Sequence, residues 1–255
     1  NLTFFNSNKK KMLPLKKKDL LGPKEINSGV TTFYNHKKIT LWRIEEQKKV
    51  LIHELIHFYN YDFGHIDNYY SQQVVSKVNI NENNEIRLNE AYTELCALII
   101  HCFIKCYENK TQLKKTKKSI NKDVNKNIAG SLNTELKFSL YQCVKILKHF
   151  GFKNYEEFLT KCKKCEKFRQ TTSVFSYFFI KCALLNNLDL FIEFVKKYQI
   201  QFFNIKKTDD SKQAFINLIN KCIYSKNFKK NLSIFQNKKS SSFFLNNTLR
   251  MICLN

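Results

Sequence analysis

Glycine and proline are scarce in this sequence, which contains 5 glycines and 2 prolines among 255 residues. Turn-rich β-sandwiches use both residues heavily, so their scarcity argues against that class and for a largely helical protein. Hydrophobic residues make up 43% of the chain, which is enough to build a core. The length fits either one large domain or two small ones.

Long apolar runs are also missing. The run Leu95–Ile104 is shorter than the roughly 20 residues that a membrane-spanning helix needs, and His101 interrupts it. The sequence shows no signal peptide, no internal repeat and no glycine-rich phosphate loop. We therefore expect no membrane span and an intracellular, reducing location.

Acidic residues are outnumbered by basic ones, with 21 Asp and Glu against 44 Lys and Arg, for a net charge of +23. Such a surface attracts nucleic acid, anionic lipid or acidic protein in a salt-sensitive way. Lysine dominates and is spread along the chain, so the codon bias of an AT-rich genome explains the charge equally well. A nucleic-acid recognition motif is absent. The sequence leaves both explanations open.

The nine cysteines form no recognisable disulfide framework, since their number is odd and their spacing irregular. Cys96, Cys102, Cys106 and Cys182 lie in apolar helical runs, where reduced cysteine behaves as a small hydrophobic residue. A CxxC pair at Cys162 and Cys165 has no second CxxC to accompany it. It fits either two ordinary thiols, which we favour, or a zinc knuckle or redox pair.

The most informative stretch is Val50–Tyr59, an apolar helical run that contains an HExxH motif. Residues four apart lie on one face of a helix, so His53 and His57 can hold one metal ion between them. Glu54 lies close enough to reach a water molecule bound to that metal. The alternative is a pair of core or surface histidines with a chance glutamate between them.

The chemistry of such a motif is metal-assisted hydrolysis. Zinc polarises the scissile carbonyl group and lowers the pKa of its bound water, and a glutamate accepts the proton. A catalytic zinc site has three protein ligands and an open position, so a third ligand is needed besides His53 and His57. The pattern thus assigns Glu54 as the general base.

Two nearby residues are weak candidates for the third ligand. His65 follows the motif, and Asp62 could bind only if the helix ended almost at once. A metzincin would have a glycine and a third histidine at fixed offsets after the second motif histidine, where this sequence has Asn60 and Phe63. These two departures argue against a metzincin.

The segment Asn89–Glu94, which reads NEAYTE, resembles the NExxSD motif of thermolysin-like gluzincins. The resemblance implies that Glu90 is the third zinc ligand and that Glu94 orients the ring of His53 from behind. Glu94 stands where the family has Asp, and the gap after His57 is longer than in thermolysin. Clostridial neurotoxin light chains, which are also gluzincins, tolerate a longer gap. Without the HExxH motif, Glu90 and Glu94 would read as solvated acids in the first turn of a helix.

The gluzincin resemblance covers about residues 28–100 and is specific in the two motifs only. The whole chain also resembles HExxH proteins encoded by large nucleocytoplasmic DNA viruses. That weaker resemblance implies location in the host cytoplasm or the virion. It rests on five short segments: 27–29, 52–57, 89–94, 137–142 and 248–251.

The predicted architecture is α+β, with a zincin-like N-terminal half and a helical C-terminal half. Strands Val30–Tyr34 and Ile39–Arg43 form a hairpin that leads into the HExxH helix, which we expect to end near Gly64. A loop with at most one irregular helix covers 66–86, and a strong helix follows at Leu88–Tyr107. Further helices are expected at about 135–150, 154–167, 173–186, 188–199 and 211–224, before a weaker tail at 243–254.

The chain divides into four predicted segments. A basic N-terminal segment spans 1–26 and forms either a loose arm or the approach to a first strand. The zincin-like catalytic region spans 27–108. A Lys/Asn-rich linker or insertion spans 109–131, and a helical C-terminal subdomain spans 132–255.

These observations predict a zinc metalloendopeptidase that hydrolyses polypeptide substrates in a cleft between the two halves. Such enzymes stabilise the tetrahedral oxyanion with a second histidine or tyrosine, and His101, Tyr141, His149 and Tyr177 are the candidates. The alternative is a basic virion-associated structural or nucleic-acid-binding protein with a vestigial or structural zinc site.

Overall fold

A computed structural model describes residues 1–33, 36–80, 86–111, 117–160, 167–238 and 240–254, with the backbone alone over 109–111 and 117–125. Helix far exceeds strand, and both are present, which confirms the α+β class. Whether the N-terminal half is zincin-like stays a prediction, as do the four segment boundaries.

A three-stranded sheet forms one layer of the N-terminal half. Its strands are β1 (Leu2–Ser7), β2 (Gly29–Thr32) and β3 (Lys38–Arg43), in the order β1-β3-β2. The β2–β3 pair is antiparallel, so the predicted hairpin is confirmed, while β1 lies parallel to β3. The basic N-terminal segment therefore begins with a strand rather than a loose arm.

The helices of the N-terminal half place the HExxH motif between two layers. They are α1 (Pro23–Ile26), α2 (Gln47–Phe58), α3 (Asn68–Val75) and α4 (Asn89–Thr111). The motif helix α2 packs against β2 and β3 on one side and against α4 on the other. Val50 lies with Ile39 and Leu41 on the sheet side, and the motif histidines face α4.

The remaining elements belong to the C-terminal half. The α-helices are α5 (Lys117–His149), α6 (Tyr155–Leu159), α7 (Lys181–Asn186), α8 (Leu188–Tyr198), α9 (Asp209–Ile223), α10 (Lys226–Gln236) and α11 (Phe243–Asn247). A π-helix spans Phe175–Ile180, and a small hairpin pairs β4 (Gln199–Gln201) with β5 (Asn204–Ile205). The helix α4 is fully buried along its middle, as at Leu95 and Leu98, because α2, α5, α7 and the π-helix all pack against it.

Several predicted element boundaries were wrong. The helix α2 ends at Phe58 rather than near Gly64, because Asn60 adopts a left-handed conformation (φ 58°) and the Tyr61 N–H donates back to the Ile56 carbonyl at 2.9 Å. The described part of the 66–86 segment contains one helix, α3, which is regular where an irregular one was expected. The helix predicted at Leu88–Tyr107 is confirmed as α4, which continues to Thr111.

Helical structure also appears where a linker was expected. The Lys/Asn-rich segment is helical over 117–131, as the first half of α5. The predicted helix at 154–167 is shorter, since α6 ends at Leu159 and 161–166 lie outside the described residues. The helices at 188–199 and 211–224 are confirmed as α8 and α9, while α10 and α11 were missed.

The described cysteines carry free thiols. Six are buried and fill core positions as small hydrophobic side chains: Cys96, Cys102, Cys106, Cys143, Cys182 and Cys222. The CxxC pair Cys162 and Cys165 lies outside the described residues. Along the described ranges, every helix is too short or too polar to cross a membrane.

Gly29 is needed where β2 crosses α2. A Cβ atom at this position would lie 2.6 Å from Leu41 Cδ2, 2.9 Å from Val50 Cγ1 and 3.0 Å from Glu54 Oε1. We expect Gly29→Ala to force the strand off the helix and to lower the free energy of unfolding by about 1–3 kcal/mol. Chemical denaturation of both proteins measures the difference.

Gly130→Ala is the matched control. Gly130 lies inside α5, and a Cβ atom there has no neighbour within 4 Å. Alanine should therefore stabilise the protein by about 0.5–1 kcal/mol through helix propensity alone. Equal effects of the two substitutions would show that β2 does not approach α2 as closely as described.

Candidate metal centre

Three side chains converge on one point between α2 and α4. The Nε2 atoms of His53 and His57 lie 3.1 Å apart. The Oε2 atom of Glu90 lies 3.2 Å from the first and 3.3 Å from the second. This triangle of two imidazole nitrogens and one carboxylate oxygen joins the HExxH motif to the residue that the gluzincin resemblance implies.

The triangle has the dimensions of a zinc site. Zinc binds imidazole and carboxylate donors at about 2.0–2.2 Å in tetrahedral geometry, which places neighbouring donor atoms about 3.3 Å apart. The three observed separations agree with that value. Two histidines with one glutamate are also a donor set of catalytic zinc sites. The residues present therefore fit a zinc ion.

His53 is oriented from behind by Glu94. Its Nδ1 atom lies 3.0 Å from Glu94 Oε2, and the other carboxylate oxygen pairs with the ammonium of Lys49. Burial opposes the charged form of Glu94, but Lys49 and His53 outweigh it and lower its pKa from 4.5 to about 2. An ionised Glu94 holds the proton of His53 on Nδ1 and leaves Nε2 free to bind metal.

His57 has a carboxylate of its own, which sequence reasoning missed in this role. Its Nδ1 atom lies 2.8 Å from Asp62 Oδ2, and the Gly64 N–H donates to the other oxygen at 3.1 Å. Asn89 and Thr93 donate to Asp62 Oδ2 at 3.3 Å each. The early end of α2 brings Asp62 back alongside the helix, where it orients an imidazole rather than binding metal.

Four polar residues of the segment 89–94 therefore belong to this centre or support it. Glu90 points at the metal position, Glu94 holds His53, and Asn89 and Thr93 hold Asp62. Glu90 and Glu94 are 8% and 1% exposed, so they are not the solvated first-turn acids of the alternative reading.

Glu54 lies beside the centre and faces the sheet. Thr31 on β2 donates a hydrogen bond to Glu54 Oε2 at 2.8 Å. The carboxylate lines the same cleft as His53 and His57. The residues assigned by the HExxH motif thus lie together.

Tyr177 is the oxyanion candidate that the structure brings to the site. Its hydroxyl donates to Glu90 Oε2 at 3.0 Å, and its ring packs edge-on against His53. Burial and the nearby carboxylates, Glu90 first among them, raise its pKa well above 10, so the hydroxyl keeps its proton.

The other oxyanion candidates have partners elsewhere. His101 lies 3.3 Å from the Leu254 carbonyl, Tyr141 donates to Asn246 Oδ1, and His149 contacts the Asp19 carbonyl. His65, the weaker ligand candidate, has a side chain that is 72% exposed and lies 3.7 Å from Asp67. The structure brings none of these four residues to the centre.

A cleft of about 720 Å³ opens onto the centre. Its walls come from the edge strand β2, from α2 and the start of α4, and from the segment 170–173 with Tyr177. Residues of both halves therefore line it, as expected of a cleft between them. We compared the chain with family models, curated proteins and solved structures, and none of them matches.

The pH dependence of stability should reveal the His57–Asp62 pair. Burial disfavours the charged imidazole, but hydrogen bonds to Asp62 and Glu90 raise the pKa of His57 well above 6.5. The stabilisation is then fully present below pH 6.5 and is lost as pH rises through the elevated pKa. We expect the melting temperature of the metal-free protein to fall as pH is raised above 6.5.

Thermal melts in the presence of a chelator measure this effect. The Asp62→Asn variant, which lacks the main carboxylate partner of His57, should show a flatter profile. Stability that rises over the same pH range would contradict the arrangement of His57, Asp62 and Glu90.

Proposed function

We propose that this protein is a zinc-dependent metallopeptidase of the gluzincin type. The single observation that carries the proposal is the tetrahedral spacing of His53, His57 and Glu90, with Glu54 on the same cleft. A zinc ion at this centre would polarise the peptide carbonyl and acidify a water molecule.

The side chains around the centre have separate roles in the proposed reaction. Glu54 accepts a proton from the attacking water and passes it to the leaving amine, and Thr31 keeps its carboxylate oriented. The Tyr177 hydroxyl turns from Glu90 to the carbonyl oxygen as negative charge develops there. Glu94 and Asp62 hold the two imidazoles in place throughout.

A polypeptide substrate suits the shape of the cleft. The strand β2 is an edge of the sheet, and Gly29, Val30 and Thr31 line the cleft beside Glu54. An extended peptide can pair with such an edge through its main chain and so present its carbonyl groups to the centre. This geometry favours an endopeptidase that binds residues on both sides of the scissile bond.

The substitution Glu54→Gln separates chemistry from binding. It removes a base and no ligand, so bound zinc and melting temperature should stay as in the wild type while peptide hydrolysis is lost. Metal analysis and cleavage of a peptide library on one preparation measure both. Zinc-loaded wild-type protein that cleaves nothing would instead support the alternative, a vestigial or structural site.

Substitutions of the acids test which residue completes the site. Glu90→Gln should lose most zinc affinity, because a weaker neutral donor replaces a ligating carboxylate. Glu94→Gln should weaken zinc binding by about 10–100-fold, because it only orients His53. His65→Ala is the control and should leave zinc affinity unchanged, because the exposed His65 side chain pairs with Asp67. Loss of zinc in Glu94→Gln or His65→Ala with retention in Glu90→Gln would overturn the ligand assignment.

A second candidate function, nucleic-acid binding, is favoured by two adjoining lysine-lined clefts remote from the metal centre. The larger, of about 780 Å³, is lined by Lys17, Lys145, Lys148, Lys153 and Lys238 and by no carboxylate of the described residues. The smaller, of about 420 Å³, shares Lys148 and Lys153, adds Lys229 and Lys230, and also contains Glu156, which pairs with Lys229 at 3.1 Å. We call them the basic clefts.

The ammonium of Lys145 lies at the base of the larger cleft and donates to the backbone carbonyls of Leu245 and Thr248. Its burial lowers its pKa to about 7, so the positive charge of this cleft comes mainly from the exposed Lys17, Lys148, Lys153 and Lys238. Such a wall of positive charge concentrates polyanions, and phosphate groups suit lysine as a point-charge partner.

A charge-matched pair of variants tests this surface. We expect the triple variant Lys17→Glu, Lys153→Glu and Lys238→Glu to bind single-stranded DNA at least about tenfold more weakly at low salt. The control reverses Lys196, Lys197 and Lys221, which are exposed on α8 and α9, and should lose much less. Fluorescence anisotropy measures both, and equal losses would attribute binding to net charge alone.

A further inference from the structure

A layer of buried charge lies behind the metal centre. The side chains of Lys11, Glu46, Lys49 and Glu94 are all at most 1% exposed. Charged side chains are rarely buried to this degree unless they are paired. The sequence places Lys49 in the polar first turn of α2, yet the fold buries it beside the site.

Glu94 bridges Lys49 and His53. One of its oxygens pairs with the Lys49 ammonium and the other lies 3.0 Å from His53 Nδ1. Lys49 and His53 are four residues apart and therefore lie on one face of α2, one turn from each other. The carboxylate, which belongs to α4, spans that turn and contacts both.

Glu46 has hydrogen-bond partners other than Lys49, so Glu94 is the carboxylate that pairs with Lys49. Glu46 Oε2 accepts from Lys11 at 2.7 Å, and Oε1 accepts from the backbone N–H groups of Met251 and Ile252 at 2.6 and 2.7 Å. The Lys49 ammonium contacts Met251 Sδ at 3.8 Å, and Glu94 is its carboxylate partner among the described residues.

We propose that Lys49 is a positioning residue of the metal centre, whose ammonium fixes Glu94 and, through Glu94, the ring of His53. With both oxygens engaged, the carboxylate cannot rotate, so the His53 Nε2 atom stays aimed at the metal position. Without Lys49, one oxygen of a buried carboxylate loses its charged partner and Glu94 is free to turn. The inference rests on the proposed zinc site but not on peptide hydrolysis.

The first measurement is zinc affinity by competition with a chromophoric chelator. Lys49→Met removes the ammonium at similar size and should weaken zinc binding by about 10–100-fold, as loss of an orienting contact does. Lys48→Met is the matched control, because Lys48 is the adjacent lysine, 64% exposed and paired with Glu108 on the surface. Wild-type affinity in Lys49→Met would overturn the inference.

A spectroscopic measurement separates positioning from a loss of stability. The visible absorption of the cobalt-loaded protein reports the geometry of the ligands, so Lys49→Met should alter the spectrum and Lys48→Met should leave it unchanged. An unaltered cobalt spectrum in folded Lys49→Met would also overturn the inference.

A double variant keeps the test decisive if Lys49→Met folds poorly. Removing one partner strands a buried charge, whereas removing both is often tolerated, so Lys49→Met with Glu94→Gln should fold. If Lys49 acts through Glu94, this double variant should bind zinc as tightly as Glu94→Gln alone. A further tenfold loss on that background would show that Lys49 acts by another route and would overturn the inference.

The outcomes distinguish this inference from the proposed function. Zinc binding that is insensitive to Lys49 overturns the inference and leaves the metallopeptidase proposal standing. Zinc binding that depends on Lys49, in a protein that cleaves no peptide, supports the inference and overturns the proposed activity. Wild-type protein that binds no zinc overturns both.

Discussion

The hydrogen bond from each histidine Nδ1 atom to a buried carboxylate is the interaction on which the rest of this site depends. Glu94 sets the tautomer and direction of His53, and Asp62 does the same for His57. With both rings held, their Nε2 atoms meet Glu90 at the separations that tetrahedral zinc requires. Neither ring needs to move for a metal to bind, which is the condition for strong and selective coordination.

This arrangement constrains the fold, because buried carboxylates are stable only with partners. Glu94 has Lys49, Glu46 has Lys11 and two backbone N–H groups, and Asp62 has donors from α4 and from Gly64. Breaking a buried pair by removing one partner costs about 3–5 kcal/mol, so these contacts also tie α2 to its neighbours. The same charges that organise the centre thus hold the two halves around it.

The two kinds of surface on this chain differ in the ligands that they suit. The cleft at the metal centre presents Glu54 and Glu90 and has the edge strand β2 as one wall, which suits a peptide. The basic clefts present lysine on several walls, which suits a polyanion. A net charge of +23 alone does not distinguish these uses, whereas the placement of individual charges does.

The sequence by itself determined those features that depend on residues close together in the chain. Four-residue spacing on a helix brings His53 to His57 and Glu90 to Glu94, so the two motifs contain the three side chains that the structure brings together. The hairpin and the long apolar helices were likewise visible, because their patterns repeat over short distances. The helix ends were harder to predict. The helix α2 ends next to Asn60, whose left-handed backbone conformation is not indicated by the apolar periodicity of the sequence.

Only the tertiary structure decided which distant residues join the centre. Tyr177 stood among four equal candidates until the π-helix 175–180 placed it beside Glu90. Asp62 became the partner of His57 because the chain turns back after α2, and Lys49 became buried because α4 and the segment 250–252 cover it. These contacts join residues of different elements, and their free energy depends on burial and on the charges that surround them. The sequence pattern does not indicate the burial of a side chain or the charges around it, because both are established only when the elements have packed.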